Sequence, residues 1–337
     1  MYTQLRCPTL HPNTTHKILY CILICAALYL GLIFYFIFKV TYTEHLLKVG
    51  SASNTPKNWS VVSHQHVTSQ TFELSNWQNT PYKEVQIPIN KMVTLSGWLS
   101  IVNSKAPIVI VVHGIAPNSK ENDESILISS FLAKNGINTL NIDLRNYGHS
   151  TKTGNFIHLG QTEYRDIIGA FNWLQTEYHF LPEQIGVAGL SLGAVTTAIA
   201  FKHDKRIQAI WLDSPFTDFN NMFAYELSRH GFRYSKFLEM SVDQIAKTFI
   251  GFQPGNHTVL NALKNADGRA IYLTHGIEDN RIPVYHARKL IDDAKNRNVS
   301  LRYWLVDKVD HLDAMFRYPY LYQRNITKFF KKNLRHL

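Results

Sequence analysis

Cysteine is almost missing from this sequence: Cys7, Cys21 and Cys25 are the only three among 337 residues, all within the first 25 positions. The rest of the chain therefore has no thiol nucleophile, no disulfide framework and no Cys-based zinc site. Such a domain can fold in an oxidising or a reducing compartment. The sequence also lacks a His-Glu-x-x-His pair and a Gly-rich loop ending in Lys-Ser/Thr, so no metal and no organic cofactor is expected. Basic residues outnumber acidic ones by 35 to 25, a net charge of +10. No run of Lys/Arg interleaves with aromatics, and the densest basic cluster is Lys331-Lys332. Nucleic acid is thus not an expected partner. Scattered positive charge suits a solubilising surface or the neighbourhood of anionic lipid.

Charge is absent altogether between Lys17 and Lys39, a stretch of 21 residues. As a helix it would be about 31 Å long, the thickness of a bilayer's hydrocarbon core. The two lysines have stems long enough to reach the headgroups, and Tyr20, Tyr35 and Phe36 sit toward the ends, where interfacial aromatics gather. A cleaved signal peptide would have a shorter apolar core and small residues soon after it. Here the first small cluster, Gly50-Ser51-Ala52-Ser53, comes well beyond. The expectation is a tail over residues 1–17 and a single-pass, uncleaved anchor over 18–40. Arg6 and Lys17 on one side, against Lys39, Lys48 and Lys57 on the other, do not decide the orientation. The commoner arrangement keeps the short tail inside and the bulk of the chain extracytoplasmic. Residues 41–81 are rich in Ser, Thr, Asn, Gln and His without a period and read as a juxtamembrane linker. The folded domain is expected over 82–337.

Within that domain, short apolar runs alternate with helical patterns. Strands are expected at 83–88, 92–102, 107–112, 137–144, 185–190, 207–212, 270–274 and 300–306. Helices are expected at 121–135, 162–178, 192–202, 284–296 and 320–334. The run PIVIVV at 107–112 is continuously apolar, as in a strand buried on both faces. Gly136 is a helix stop. Alternation of this kind indicates a mostly parallel, doubly wound α/β sheet, and in such sheets reactive groups gather beyond the carboxyl ends of the strands.

One such end carries Gly189-Leu190-Ser191-Leu192-Gly193, between the apolar run IGVAGL and the helical run GAVTTAIAFK. A serine on a tight strand-to-helix turn is held in a strained conformation with its hydroxyl at a helix N-terminus. Glycines two residues to either side let strand and helix approach closely. Five residues alone are a weak signal; the strand–turn–helix context strengthens it.

Several segments resemble the α/β-hydrolase superfamily, in particular its serine aminopeptidase-like and monoglyceride-lipase-like members. They are Val111-Val112-His113-Gly114, Asp143-Leu144-Arg145 with Gly148-His149-Ser150, Gly189–Gly193, Asp213-Ser214-Pro215, and His275-Gly276-Ile277-Glu278-Asp279-Asn280-Arg281-Ile282-Pro283. The resemblance runs from about Tyr82 to the C-terminus. It implies the α/β-hydrolase fold, a small helical lid and a nucleophilic serine.

A serine hydroxyl needs a histidine to take its proton and an acid to orient that histidine, in the order Ser, Asp/Glu, His. Asp279, beyond the strand AIYLT, occupies the position that the resembled motif assigns to the acid. Asp213, at the end of IQAIWL, is its rival, while Glu278 is offset by one residue. Among 16 histidines, His311 directly follows the last strand and is the expected base. Asp307, Asp310 and Asp313 surround it. His113 and His275 read as turn residues before glycine. The oxyanion donors would be the backbone amide of Leu192, after the nucleophile, and by resemblance that of Ile115.

The lid is expected at about 216–268. It contains Met222, Phe223, Tyr225, Phe232, Tyr234, Phe237, Leu238 and Met240, with Arg229, Arg233 and Lys236 between. These residues either line an acyl pocket or pack the lid on the body. The reading is a membrane-anchored serine hydrolase for small-molecule or lipid-like acyl esters. A peptidase or amidase with the same three residues is the alternative, favoured if Glu226, Glu239 or Asp243 holds a substrate amine. A catalytically silent scaffold is the third reading.

Overall fold

The computed structural model describes residues 12–43, 54–61, 64, 72–115, 119–229, 231 and 236–336. Its centre is an eight-stranded sheet: β1 (Lys83–Pro88), β2 (Thr94–Ser100), β3 (Ile108–Val112), β4 (Asn138–Ile142), β5 (Ile185–Leu190), β6 (Ala209–Asp213), β7 (Ala270–Gly276) and β8 (Leu301–Val306). The spatial order is β1-β2-β4-β3-β5-β6-β7-β8. Only β2 runs antiparallel to its neighbours β1 and β4; every other pairing is parallel. All eight strands lie within two residues of the bounds expected from the sequence.

Alternation of side chains explains why β3 is apolar throughout. Ile108, Ile110 and Val112 enter one core with Ile167, Phe171, Ala198 and Leu290. Val109 and Val111 enter the other with Ile126, Phe131, Ile326 and Phe330. A strand covered on both faces has no solvent side on which a polar residue would be tolerated. The covering helices are α2 (Asp123–Ala133), α3 (Tyr164–Tyr178), α4 (Leu192–His203), α8 (Tyr285–Asn296), α9 (Ala314–Arg317) and α10 (Pro319–Asn333). Between β6 and β7 the lid comprises α5 (Phe219–Arg229), α6 (Lys236–Ile245), a π-type turn over Ala246–Ile250 and α7 (Val259–Leu263). Phe232, Arg233 and Tyr234 lie outside the described residues, as do the side chains of Lys236 and Phe237.

The N-terminal helix α1 covers Pro12–Thr41, and its stretch His16–Lys39 is long and apolar enough to cross a membrane. Its last turns do not stand clear of the domain. Ile33 and Ile37 are 2% and 1% exposed and join the first core. Beyond them the Ile157 amide donates to the Thr41 carbonyl, and the Thr43 amide to the Asn155 carbonyl, both at 2.8 Å.

The segment expected to be a linker also packs on the body where it is described. Trp59, Phe72 and Trp77 are buried in the second core, Trp77 edge-to-face on Phe131. An irregular segment buries isolated aromatics without a repeat, so no period in the sequence announces it.

Candidate active site

Ser191 lies between β5 and α4, at the N-cap of the helix, with φ 52° and ψ −116°, a conformation L-residues rarely adopt. Close backbone packing enforces this turn. A Cβ on Gly189 would come within 2.3 Å of the Gly193 carbonyl oxygen, and one on Gly193 within 2.3 Å of the Val112 oxygen. The Ser191 amide donates to the Asp213 carbonyl at 2.8 Å, tying the turn to the neighbouring strand.

The three side chains singled out in the sequence meet beyond the carboxyl ends of β5, β7 and β8. His311 Nε2 is 3.0 Å from Ser191 Oγ, and its Nδ1 is 2.7 Å from Asp279 Oδ2. The other Asp279 oxygen accepts the amides of Arg281 and Ile282 at 2.9 and 2.7 Å. One carboxylate oxygen is therefore fixed by backbone, which leaves the other aimed at the imidazole. Asp310 accepts the His311 amide at 2.7 Å and the Asn280 amide at 2.9 Å, joining the loop of His311 to that of Asp279.

The rival acid sits elsewhere. Asp213 accepts hydrogen bonds from Tyr322 at 2.7 Å and Ser214 at 3.0 Å. Burial pushes its carboxyl up to about 7, against the lowering effect of those two hydroxyls. His275 meets the Ile282 carbonyl through Nε2 at 2.7 Å and is kept neutral chiefly by burial. His113 Nδ1 meets the Gly114 carbonyl at 2.7 Å, and its Nε2 accepts the Leu144 amide at 3.1 Å. Both rings thus brace turns. The motif residue Asp143 does likewise: it pairs with buried Lys120 at 2.7 Å and accepts the amides of Lys120 and His149.

Two cavities meet at Ser191, and both are also lined by Ile115, Arg229 and Arg281. The polar one, about 600 Å³, includes Glu124, Asp310 and Asp313. The apolar one, about 350 Å³, runs under the lid between Leu159, Phe216, Phe219, Met222 and Phe223. Leu192 lines the second cavity and opens α4, so its amide is at a helix N-terminus beside the serine.

Sequence reasoning missed two contributions from the N-terminal part of the chain. Phe36 and Lys39 of α1 line the apolar cavity. His64, in the segment without periodicity, lines the polar one and lies between Glu124, at 3.1 Å, and Asp313. Burial opposes its charge, but the hydrogen bonds and charges of Asp313 and Glu124 prevail and raise it to about 10. His64, Asp123 and Glu124 also have donor atoms within 4.8 Å of one another. Both ring nitrogens of His64 face carboxylate oxygens, Nδ1 that of Asp313 and Nε2 that of Glu124. No sequence signal marks either contribution, because both depend on where distant segments dock.

A strained serine at a strand-to-helix turn, on a mostly parallel sheet with a helical lid, defines an α/β-hydrolase, and the comparisons agree that the chain is a serine hydrolase. Residues 125–336 match the prolyl oligopeptidase family, and the chain belongs to it. The esterase Pf2001 of Pyrococcus furiosus superposes with a TM-score of 0.60 over 86% of this chain and all of its own, at 24% identity. The acylaminoacyl peptidase of Pyrococcus horikoshii gives 0.56 over 78% of this chain and 43% of its own, at 19% identity. These likenesses concern the fold. Among curated proteins, polyketide transferase ATR5 of Stachybotrys chlorohalonatus is 30% identical over 128 residues, which is 38% of this chain and 42% of that protein. Thiohydrolase aneE of Aspergillus aculeatus is 28% identical over 129 residues, 38% of this chain and 40% of its own. The chain spans about two fifths of the length of these curated relatives.

Proposed function

We propose that the protein is a membrane-anchored hydrolase of carboxylic esters with Ser191 as nucleophile, His311 as base and Asp279 as acid. The observation that carries this is the continuous pair of contacts from Asp279 through His311 to Ser191, at 2.7 and 3.0 Å, at the junction with an apolar cavity. Ser191 Oγ attacks the ester carbonyl carbon while His311 Nε2 takes its proton. The amides of Ile115 and Leu192 donate to the developing oxyanion. Collapse breaks the bond to the alkoxy oxygen, which leaves with the proton from His311. Water, deprotonated by the same nitrogen, then attacks the acyl-enzyme, and the carboxylic acid departs as Ser191 recovers its proton. Asp279 keeps the Nδ1 proton in place and stabilises the imidazolium formed twice in the cycle.

An aminopeptidase would need carboxylates at liberty to hold a substrate amine. Glu226 pairs with Arg229 at 3.6 Å, Glu239 accepts from Asn220 at 2.9 Å, and Asp243 has a contact of its own. Glu124 and Asp313 flank His64. These engagements count against an aminopeptidase that grips a substrate amine. The test is labelling with a fluorophosphonate probe. Wild type should label, whereas Ser191→Ala and His311→Ala should not. Undiminished labelling of Ser191→Ala would remove the nucleophile assignment, and folded but unlabelled wild type would favour the scaffold reading.

A further inference from the structure

The proposed function treats α1 as a tether, yet two of its side chains belong to the apolar cavity. Phe36 lines that cavity together with Ser191 and stands edge-to-face on Phe223 of the lid, centroids 6.4 Å apart. Lys39, one turn later, lines the same space. Helix length then sets the depth of this wall in a bilayer. Every described side chain from His16 to Leu28 is exposed, and from Ile33 onward one face of α1 packs against the body while Phe34, Tyr35 and Lys39 stay exposed on the other. Ile18 to Leu32 would cover only about 22 Å at ~1.5 Å per residue. The hydrocarbon core needs about 30 Å. The open face of the next turns, with exposed Phe34 and Tyr35, supplies the remaining ~8 Å, and immersing it takes the adjoining lid into the bilayer to that depth. Segments lying in the interface are buried by about 5–10 Å, which is the same range.

The lid surface at that level fits such immersion. Phe249, in the π-type turn, is 66% exposed and stands edge-to-face on Phe34 of α1 with centroids 6.0 Å apart. A large aromatic left open beside a membrane-spanning helix is costly in water and favourable in acyl chains. Lys39 then stands near the headgroups. No described α1 residue lines the polar cavity.

We propose that α1 is part of the binding site: Phe36 walls the acyl cavity at its opening to the bilayer, and the substrate is a membrane-resident acyl amphiphile whose chain enters sideways. This rests on the ester-hydrolase reading above. The chain lies along Phe36, Phe223 and Met222, and the ester reaches Ser191 from the lipid side.

The experiment uses the full-length protein in lipid nanodiscs. Its readout is the ratio of kcat/KM for a dodecanoyl over a butyryl p-nitrophenyl ester, so any loss of folded protein cancels. Phe36→Trp, which fills the wall, should lower the ratio by about tenfold, since each excluded methylene costs several-fold. Phe36→Ala, which widens it, should raise the ratio. An unchanged ratio in both variants overturns the role of Phe36. Wild type that cleaves neither ester instead removes the ester reading, and this inference with it. Depth is read separately from Phe249→Cys carrying an environment-sensitive fluorophore, with Cys7, Cys21 and Cys25 replaced by Ser. Quenching by nitroxides on lipid acyl chains is expected; quenching by an aqueous agent alone would overturn the lateral entry.

Discussion

Asp279→Asn tests the site most sharply, because the surrounding hydrogen bonds dictate what the amide must do. Oδ1 of Asp279 accepts two backbone amides, from Arg281 and Ile282, at 2.9 and 2.7 Å. An asparagine must keep its carbonyl oxygen on those two donors, since turning its NH2 toward them would leave buried N–H groups facing one another. Its NH2 then points at His311 Nδ1, 2.7 Å away in the wild type. That nitrogen must become the acceptor, so the proton moves to Nε2, the atom 3.0 Å from Ser191 Oγ. A protonated Nε2 cannot take the serine proton. The expected loss in kcat is about 10⁴-fold, the scale known for the wrong tautomer in triads of this kind, or about 5.4 kcal/mol of barrier. Asp213→Asn is the comparison. It replaces a buried carboxyl already pushed up to about 7 by a neutral amide of the same shape, which can still accept from Tyr322. Its kcat should stay within about tenfold of wild type. Hydrolysis of p-nitrophenyl butyrate at pH 8 with purified, melting-checked variants distinguishes the two. Retention of more than a tenth of the activity by Asp279→Asn, with collapse in Asp213→Asn, would refute the assignment.

Two further outcomes follow from the N-terminal segment. His64 is raised from 6.5 to about 10 in the folded protein by its two carboxylate partners; its contribution is complete below about pH 6.5 and is lost as pH rises through about 10. Wild-type melting temperature should therefore fall more steeply than that of His64→Gln across this window, and parallel pH profiles would refute the imidazolium. Trp59→Ala removes a buried aromatic from the second core and should cost about 3–5 kcal/mol by urea unfolding. A cost under about 0.5 kcal/mol would mean that residues 54–81 are only a connection.

Much of this molecule follows from local pattern. The eight strands and the five long helices covering the sheet are legible because a strand buried on both faces is a continuous apolar run, whereas a helix repeats its apolar residues at 3.6. Ser191 is legible for a local reason too, since Gly189 and Gly193 are demanded by backbone contacts a few residues away. Strand order then restricts Asp279 and His311 to the loops after β7 and β8.

What lay beyond the sequence depends on docking at long range. Asp213 ends β6 and Asp279 follows β7, and only the tertiary arrangement directs one toward Tyr322 and the other toward His311. His64 meets residues 60 and 249 positions away, at distances along the chain that no periodicity encodes. The apolar run of α1 determined by itself that this segment can span a membrane. That its last turns also wall a cavity beside Ser191 was decided by the packing of Ile33 and Ile37 on the body, a contact between surfaces whose complementarity is not written in either segment alone.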